Sequence, residues 1–189
     1  MAMDTILKHI KDIVLMQCNT NYTASIENFK YINLNVLKEY KNQYPEVILG
    51  LSDHTPGHST VLGAVALGAR VIEKHFTDDL NREGPDHKFS MDFTSWKEMV
   101  DRGRELELAL GTRVKKIEDN EKETVVLQRR SIRAKYDLKN GSIITREMLE
   151  FLRPCPEYSL APYFLKDILG KTLTKNIVSG GCLTWENLK

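Results

Sequence analysis

Two histidines stand at the ends of short apolar runs of the sequence. His54 follows the run that begins at Val47, and His75 lies near the end of the run that begins at Val71. In a parallel α/β sheet the carboxyl ends of neighbouring strands lie about 4.8 Å apart, and a metal–imidazole bond is about 2 Å long. One cation could therefore bind both rings. Two protein nitrogens would leave open positions for water or substrate, as in a catalytic metal site.

Each of these polar residues also has a simpler interpretation. A histidine at a strand end is often only a hydrogen-bonded pocket residue. Asp53 and Glu73 either orient the imidazoles from behind or pair with lysine or arginine on the side that faces the helices. Asp86, in a polar Gly-Pro turn after the third run, suits a hydroxyl-rich ligand, although aspartate is also common there for turn geometry alone. These alternatives stay open at the level of sequence.

The elements that would position these residues form a repeating pattern. Apolar runs at 13–18, 47–51 and 71–76 alternate with helical periodicity, which predicts βα units and a parallel sheet. A (β/α)8 barrel takes eight strands and roughly 250 residues, so three units cannot close one. We therefore expect the chain to be part of something larger or a truncated product.

Helical signals follow each run. Apolar residues three to four apart predict one amphipathic helix over 26–40, and the small apolar residues of 59–69 predict a second helix packed on the sheet. A third amphipathic helix follows the last run. Ser95 and Glu98 have the spacing of a capping box at its start, and Gly111 is placed to end it.

Composition changes beyond these units. Residues 1–112 hold the βα pattern, 113–130 are dominated by charged side chains and predict an exposed linker, and 131–189 predict a small domain of short strands and turns. Segments 140–149 and 180–188 echo each other. Each has a glycine turn, two β-like residues and a threonine that can cap a short helical turn.

Charge and composition exclude several functional classes. The 189 residues carry a formal net charge of +1, which favours neither nucleic acid nor an anionic membrane as a partner. The apolar stretches are too short to span a bilayer and the N-terminal residues lack a signal-peptide core, so a cytoplasmic location is expected. Three widely spaced cysteines fit reduced thiols better than disulfides.

Several blocks together resemble the sialic acid synthase (N-acetylneuraminate synthase) family. The likeness extends into a C-terminal domain similar to type III antifreeze proteins, the SAF domain, and it covers almost all of this chain but only the later half of a family member. It implies an α/β fold with the last three βα units of a (β/α)8 TIM barrel, followed by a small β-rich SAF domain. The blocks are 50–55, 64–69, 72–77, 84–87, 129–132 and Arg153-Pro154.

The resemblance implies a reaction. Phosphoenolpyruvate would condense with an N-acetylmannosamine-like, N-acylated amino sugar to give a nine-carbon 2-keto acid and phosphate. A divalent cation, typically Mn²⁺ with Mg²⁺ or Co²⁺ as alternatives, would sit between His54 and His75. As a Lewis acid it would polarise the aldehyde of the open-chain sugar. The two histidines and Asp86 would thus be the catalytic residues.

The resemblance also implies binding roles and an assembly. Ser52 would contact phosphoenolpyruvate, and Asp86 would contact sugar hydroxyls. Arg153 would reach the N-acyl group in the active site of a partner subunit, within a domain-swapped homodimer. Three further residues match the family's pocket loop: Thr20, Asn21 and Tyr22.

Departures from the family pattern leave the acceptor sugar open. Thr23 stands where members often have proline, and 155–158 replace a glycine-rich stretch. The acceptor could be N-acetylmannosamine or a legionaminic- or pseudaminic-type precursor. The early strands, whose lysines would neutralise phosphoenolpyruvate, are not in this chain, and the basic residues at the predicted rim are Lys74, Arg82 and Lys88.

Two other functions compete with a synthase. One is a truncated, non-catalytic remnant that binds carbohydrate or a partner through its SAF domain. The other is a different metal-dependent aldolase on a barrel, which explains the histidines but not Arg153-Pro154 or the terminal domain.

Overall fold

The computed structural model describes residues 2–189, and the chain divides after Arg113 into two compact units. The N-terminal unit alternates helices with a parallel sheet, as the βα pattern predicts. Its elements are α1 (Ala2–Ile6), β1 (Val14–Cys18), a 3₁₀ helix (Ile26–Tyr31), α2 (Val36–Gln43), β2 (Ile48–Asp53), α3 (Ser59–Ala66), β3 (Val71–Lys74) and α4 (Phe93–Leu110).

The three strands pair in sequence order, and both pairings are parallel. Cys18 at the end of β1 lies opposite Ser52 of β2, and Asp53 lies opposite Lys74 of β3. This register brings the carboxyl ends of all three strands to one edge of the sheet. The predicted parallel sheet of βα units is thus confirmed.

The helices cover one face of the sheet. Strand residues alternate between two faces, and the alternate positions Leu49 and Leu51 of β2 are buried against the helices. The same core takes Leu37 from α2, Val61 from α3 and Met99 from α4. Because Asp53 continues that alternation, its side chain points to the helix side of the sheet. The side chain of the next residue, His54, points to the opposite side.

Two predicted helices differ from the structure. The segment 26–40 is not one helix, because Asn33 adopts a left-handed backbone (φ 52°) that separates the 3₁₀ helix from α2. The capping box of α4 is one turn earlier than predicted. The Asp92 carboxylate accepts from the Ser95 N–H at 2.8 Å, and the Ser95 hydroxyl accepts from the Asp92 N–H at 3.0 Å. Gly111 ends the helix, as predicted.

The C-terminal unit has a core of its own. An antiparallel pair, β4 (Ser131–Ala134) with β5 (Leu149–Leu152), packs with short 3₁₀ turns around buried aliphatic residues such as Ile132, Leu173 and Leu183. The segment predicted as a linker contains a short helix, α5 (Lys122–Gln128). The elements are a 3₁₀ helix (Asp119–Glu121), α5 (Lys122–Gln128), β4 (Ser131–Ala134), 3₁₀ (Arg146–Met148), β5 (Leu149–Leu152), 3₁₀ (Pro162–Phe164), α6 (Leu165–Ile168) and 3₁₀ (Trp185–Asn187).

The two echoing segments adopt similar local structures. Each contains a glycine in the left-handed region, Gly141 or Gly180, followed by a 3₁₀ turn that begins after Thr145 or Thr184. In the second segment the Asn187 side chain accepts from the Thr184 N–H at 3.1 Å. Within residues 2–189, no helix has both the length and the apolar character needed to cross a lipid bilayer.

Candidate active site

The two strand-end histidines lie side by side. His54 directly follows β2 and His75 directly follows β3, and their ring centroids are 5.1 Å apart with the planes at 63°. His54 is buried, while the His75 side chain is 29% exposed. Since β2 and β3 are neighbours in register, the sheet itself places both rings at one pocket. One small ion could lie within reach of both.

The Nδ1 atom of each ring has a partner in the chain. Nδ1 of His54 lies 2.8 Å from the carbonyl oxygen of Asn19 and Nδ1 of His75 lies 3.4 Å from Oδ2 of Asp86. A carbonyl oxygen can only accept, so Nδ1 of His54 carries a proton, and in the neutral ring Nε2 is the nitrogen with the lone pair. Metal-binding histidines almost always show this arrangement, in which the other nitrogen donates to a carbonyl or carboxylate. The donor set therefore fits a divalent cation.

These two imidazoles make up the whole candidate ligand set that residues 2–189 bring together. The described part of the chain holds no group of three or more His, Cys, Asp or Glu side chains placed to bind a metal. Two ligands leave several coordination positions for water or substrate, which suits a catalytic role better than a structural one.

Two aromatic rings enclose the histidine pair. Tyr22 lies 4.4 Å from His54 and 5.7 Å from His75, between ring centroids, and Phe89 lies 5.8 Å and 5.0 Å from the same rings. Phe89 is 2% exposed and Tyr22 is 55% exposed. Phe89 thus forms the floor of the site, and Tyr22 covers its solvent side.

Sequence reasoning anticipated Tyr22 but missed Phe89. Phe89 belongs to a segment between β3 and α4 that shows no apolar periodicity. Nothing local distinguishes it from an ordinary core residue. Its role beside the histidines depends on how this segment folds back, which includes a backbone bond from the Met91 N–H to the His75 carbonyl at 2.9 Å.

Asp53 pairs with a lysine and does not orient an imidazole. The Nζ atom of Lys74 lies 2.6 Å from Oδ2 of Asp53, and both side chains are fully excluded from solvent. Of the two interpretations open from the sequence, the ion pair on the helix side is the one that forms. Lys74 therefore does not stand at the rim as a cation for an anionic substrate, contrary to the prediction.

Ser52 and Glu73 form the next cross-strand pair. The Ser52 hydroxyl donates to Oε1 of Glu73 at 2.8 Å, and the two residues are opposed in the register of β2 and β3. The Glu73 side chain thus bonds to a hydroxyl rather than to a histidine ring. Ser52 is half-buried on the same side of the sheet as the histidines, where a substrate could reach it.

The pocket loop after β1 is held by asparagines. Thr20 and Asn21 are exposed, and the Asn21 side chain donates to Oδ1 of Asn28 at 3.2 Å. Asn28 is 2% exposed, and its Nδ2 has no partner among residues 2–189. The loop thereby holds Tyr22 over the histidines.

The loop after β3 carries the remaining candidates. Asp86 is 47% exposed beside His75, so it can face both the ring and a ligand. The Arg82 guanidinium donates to Asp78 at 2.9 Å and holds the pKa of that carboxyl below its ordinary value. Since Arg82 is paired in this way, Lys88, which is exposed, is the basic residue of this loop most available to an anion.

Arg153 belongs to the C-terminal unit. It directly follows β5, and its side chain is exposed. The same unit has an open groove of about 920 Å³ between α5 and residues 155–164. Aromatic and basic side chains line this groove: Tyr158, Tyr163, Phe164, Trp185, Arg129 and Arg130.

Comparison with known proteins agrees with both units. Residues 1–115 match the NeuB family and residues 129–189 match the SAF domain. The chain is 39% identical over 177 residues to the N,N'-diacetyllegionaminic acid synthase of Legionella pneumophila, covering 94% of this chain and 48% of the relative. It is 39% identical over 172 residues to a pseudaminic acid synthase of Campylobacter jejuni, covering 91% and 48%. The chain thus spans about half the length of these relatives.

Solved structures show the same architecture. The spore coat polysaccharide biosynthesis protein E of Chromobacterium violaceum superimposes with a TM-score of 0.66 over 99% of this chain and 56% of that protein, at 21% identity. The N-acetylneuraminic acid synthetase of Leptospira borgpetersenii gives a TM-score of 0.51 at 29% identity over 59% of this chain and 38% of that protein. The first of these likenesses concerns the fold alone.

Proposed function

This chain belongs to the NeuB family, and on that premise we propose that it supplies the metal-binding half of a sugar-acid synthase. The reaction would condense phosphoenolpyruvate with an N-acylated amino sugar to a nine-carbon 2-keto acid and phosphate. One observation carries the proposal. His54 and His75 meet at the strand ends, and the Asn19 carbonyl holds Nδ1 of His54 so that Nε2 of that ring is left for an ion.

His54 and His75 would hold the cation, with Mn²⁺ preferred over Mg²⁺ or Co²⁺. When bound, such an ion supplies Lewis acidity for an aldehyde oxygen. The chain's own contribution is to present both rings in fixed orientations. The Asn19 carbonyl holds the tautomer of His54. Phe89 excludes water from the inner side of the rings because it is almost fully buried there.

The substrate-binding roles follow from exposure. Ser52 and Asp86 are both accessible beside the histidines, and we assign the first to phosphoenolpyruvate and the second to sugar hydroxyls. Tyr22, with Thr20 and Asn21, would cover the bound sugar from the solvent side. Arg153 would contact the N-acyl group in the site of a partner subunit, within a domain-swapped homodimer.

Phosphoenolpyruvate also needs cations for its phosphate and carboxylate. Lys74 is buried against Asp53 and Arg82 is paired with Asp78, so these two are committed elsewhere. Ser52 and Lys88 alone are a small set of donors for such an anionic ligand. We therefore propose that most of the phosphate contacts come from chain beyond residues 2–189.

The acceptor is proposed as a class, an N-acylated amino sugar. The relatives at 39% identity are named for legionaminic and pseudaminic acids, whereas a pseudaminic acid synthase of Helicobacter pylori and a human N-acetylneuraminate-9-phosphate synthase are both 33% identical. We propose a legionaminic- or pseudaminic-type precursor, with N-acetylmannosamine as the alternative. Assays should therefore offer both kinds of sugar.

The direct test measures phosphate release from phosphoenolpyruvate with each sugar, with and without Mn²⁺. Release that requires both sugar and metal supports the synthase. If the 189-residue chain is inactive, the same assay is made on this chain mixed with an N-terminal half-barrel from a pseudaminic acid synthase. Activity that remains after removal of Mn²⁺ by a chelator would contradict the metal role.

A second candidate is carbohydrate binding without catalysis by the C-terminal unit. The groove of about 920 Å³ favours it, since Tyr158 and Tyr163 are exposed there beside Arg129. Aromatic faces with a polar edge suit sugars, and arginine suits their carboxylates. Calorimetry with a nine-carbon 2-keto acid decides this point: binding that is lost in Tyr163→Ala and occurs without turnover would favour the second candidate.

A further inference from the structure

A fully buried ion pair joins the two strands that carry the histidines. Asp53 and Lys74 are opposed in the register of β2 and β3, and their charged groups are 2.6 Å apart with no solvent exposure. Each residue immediately precedes a histidine: His54 follows Asp53 and His75 follows Lys74. The ion pair thus links the last paired residues of the two strands from which the imidazoles project.

Further hydrogen bonds connect this pair to the residue after His54 and to a helix. Lys74 also donates to the Thr55 carbonyl at 2.6 Å. Asp53 accepts from the Thr55 hydroxyl at 2.9 Å and from the hydroxyl of Thr60, in α3, at 2.6 Å. Thr55, which follows His54, is therefore hydrogen-bonded to Lys74, which precedes His75.

Stability alone does not account for two buried charges at this place. Desolvation of both groups is costly, and replacing a buried ion pair by well-packed hydrophobic residues of similar volume is often neutral or stabilising. What such a pair can supply is a defined geometry, because each buried charge must keep its partner to offset the cost of desolvation.

We infer that Asp53 and Lys74 are positioning residues that set the separation and direction of the His54 and His75 rings. Side chains alternate across a strand, so the pair points to the helix side while the histidines point to the opposite side. This pair, the Asp53–Lys74 clamp, therefore acts on the rings through the backbone without touching them. This inference rests on the metal role in the proposed function.

The expected effect is on metal affinity. Groups that hydrogen-bond directly to a metal ligand are typically worth roughly 10–100-fold in affinity, and a pair that acts only through the backbone should fall at the low end of that range. We expect the double variant Asp53→Asn/Lys74→Met to stay folded and to bind Mn²⁺ about tenfold more weakly. A visible absorption band of bound Co²⁺, which reports coordination geometry, should also shift.

The experiment titrates the 189-residue chain with Mn²⁺ by electron paramagnetic resonance and follows its fold by circular dichroism. The matched control is Lys97→Met, which removes a lysine from an exposed ion pair with Asp101 in α4. The isosteric Thr60→Val removes one hydrogen bond from Asp53 and serves if the double variant does not fold. His54→Ala tests the metal site itself.

The outcomes separate the two proposals. Weaker Mn²⁺ binding in the folded double variant, or in Thr60→Val, with Lys97→Met unchanged, supports the clamp. Wild-type affinity and an unshifted Co²⁺ band in these folded variants overturn it. If His54→Ala binds Mn²⁺ as tightly as the wild type, the metal role in the proposed function fails, and the clamp loses its purpose with it.

Discussion

The ring of His54 lies 5.1 Å from the ring of His75, and both rings contact the same buried phenyl group of Phe89. The pair is formed by two neighbouring parallel strands that end at the same edge of the sheet. Because the strands supply the spacing, the histidine pair is already formed within the N-terminal unit.

His54→Ala and His75→Ala should each abolish Mn²⁺-dependent turnover of the assembled enzyme. Loss of one of two protein ligands should weaken Mn²⁺ binding more than loss of a group that only hydrogen-bonds to a ligand, which typically costs roughly 10–100-fold in affinity. The measurement is phosphate release together with Mn²⁺ titration. His9→Ala is the control, because His9 is exposed and lies outside the ring cluster. Turnover like the wild type in either variant would remove the metal assignment.

Asp86→Ala should act mainly on the sugar. Oδ2 of Asp86 is 3.4 Å from Nδ1 of His75, longer than a good N–H···O bond, and the side chain is 47% exposed. We therefore expect a raised KM for the amino sugar and less than about a tenfold change in Mn²⁺ affinity. Asp78→Ala, in the same loop, is the control. A large loss of Mn²⁺ affinity with an unchanged KM would assign Asp86 to His75 instead.

Phe89→Ala should destabilise the N-terminal unit by about 3–5 kcal/mol, because it removes a buried ring and leaves a cavity beside the histidines. The control is Phe93→Ala, since Phe93 is 79% exposed and surface changes usually stay within about 0.5 kcal/mol. Urea unfolding followed by circular dichroism measures both. Equal effects of the two variants would show that Phe89 is not the packed floor of the site.

Arg153→Ala should chiefly weaken use of the sugar, with little change in Mn²⁺ affinity. Its proposed partner is the N-acyl group of the sugar, and neither the cation nor the histidines are among its proposed contacts. Lys166→Ala removes one positive charge from an exposed position of the same unit and serves as control. If the KM for the sugar stays the same in Arg153→Ala, the cross-subunit contact is excluded.

The capping box of α4 predicts a pH dependence of stability. Hydrogen bonds from the Ser95 hydroxyl, and then from the Ser95 N–H, hold the pKa of Asp92 below its ordinary value of 3.8. A lowered pKa in the folded state means that the ionised cap stabilises above that value and that this stabilisation is lost as the pH falls through the folded-state pKa. Asp92→Ala should therefore lower the Tm at neutral pH.

The difference in Tm between Asp92→Ala and the wild type should then shrink from about pH 4 to about pH 2. Asp101→Ala, in the exposed middle of the same helix, should change the Tm little at either pH, because exposed ion pairs contribute little. A difference for Asp92→Ala that stays constant over this range would show that the carboxylate charge does not contribute to the cap.

Local patterns in the sequence were enough to predict the three strands, their parallel pairing and the two histidines at their ends. Apolar periodicity depends on neighbouring residues, and the strand ends follow from it directly. The resemblance carried by blocks such as 72–77 also identified the family. These features are encoded within a few residues of one another, so they can be recognised without coordinates.

Only the tertiary structure decided which partners the polar residues take. Asp53 could have served a histidine or a lysine, and it pairs with Lys74 because the register of β2 and β3 opposes the two on the helix side of the sheet. Phe89 reaches the histidines only because the segment before α4 folds back along β3. Strand register and the direction of side chains join residues that are distant in sequence, and no local pattern specifies such contacts.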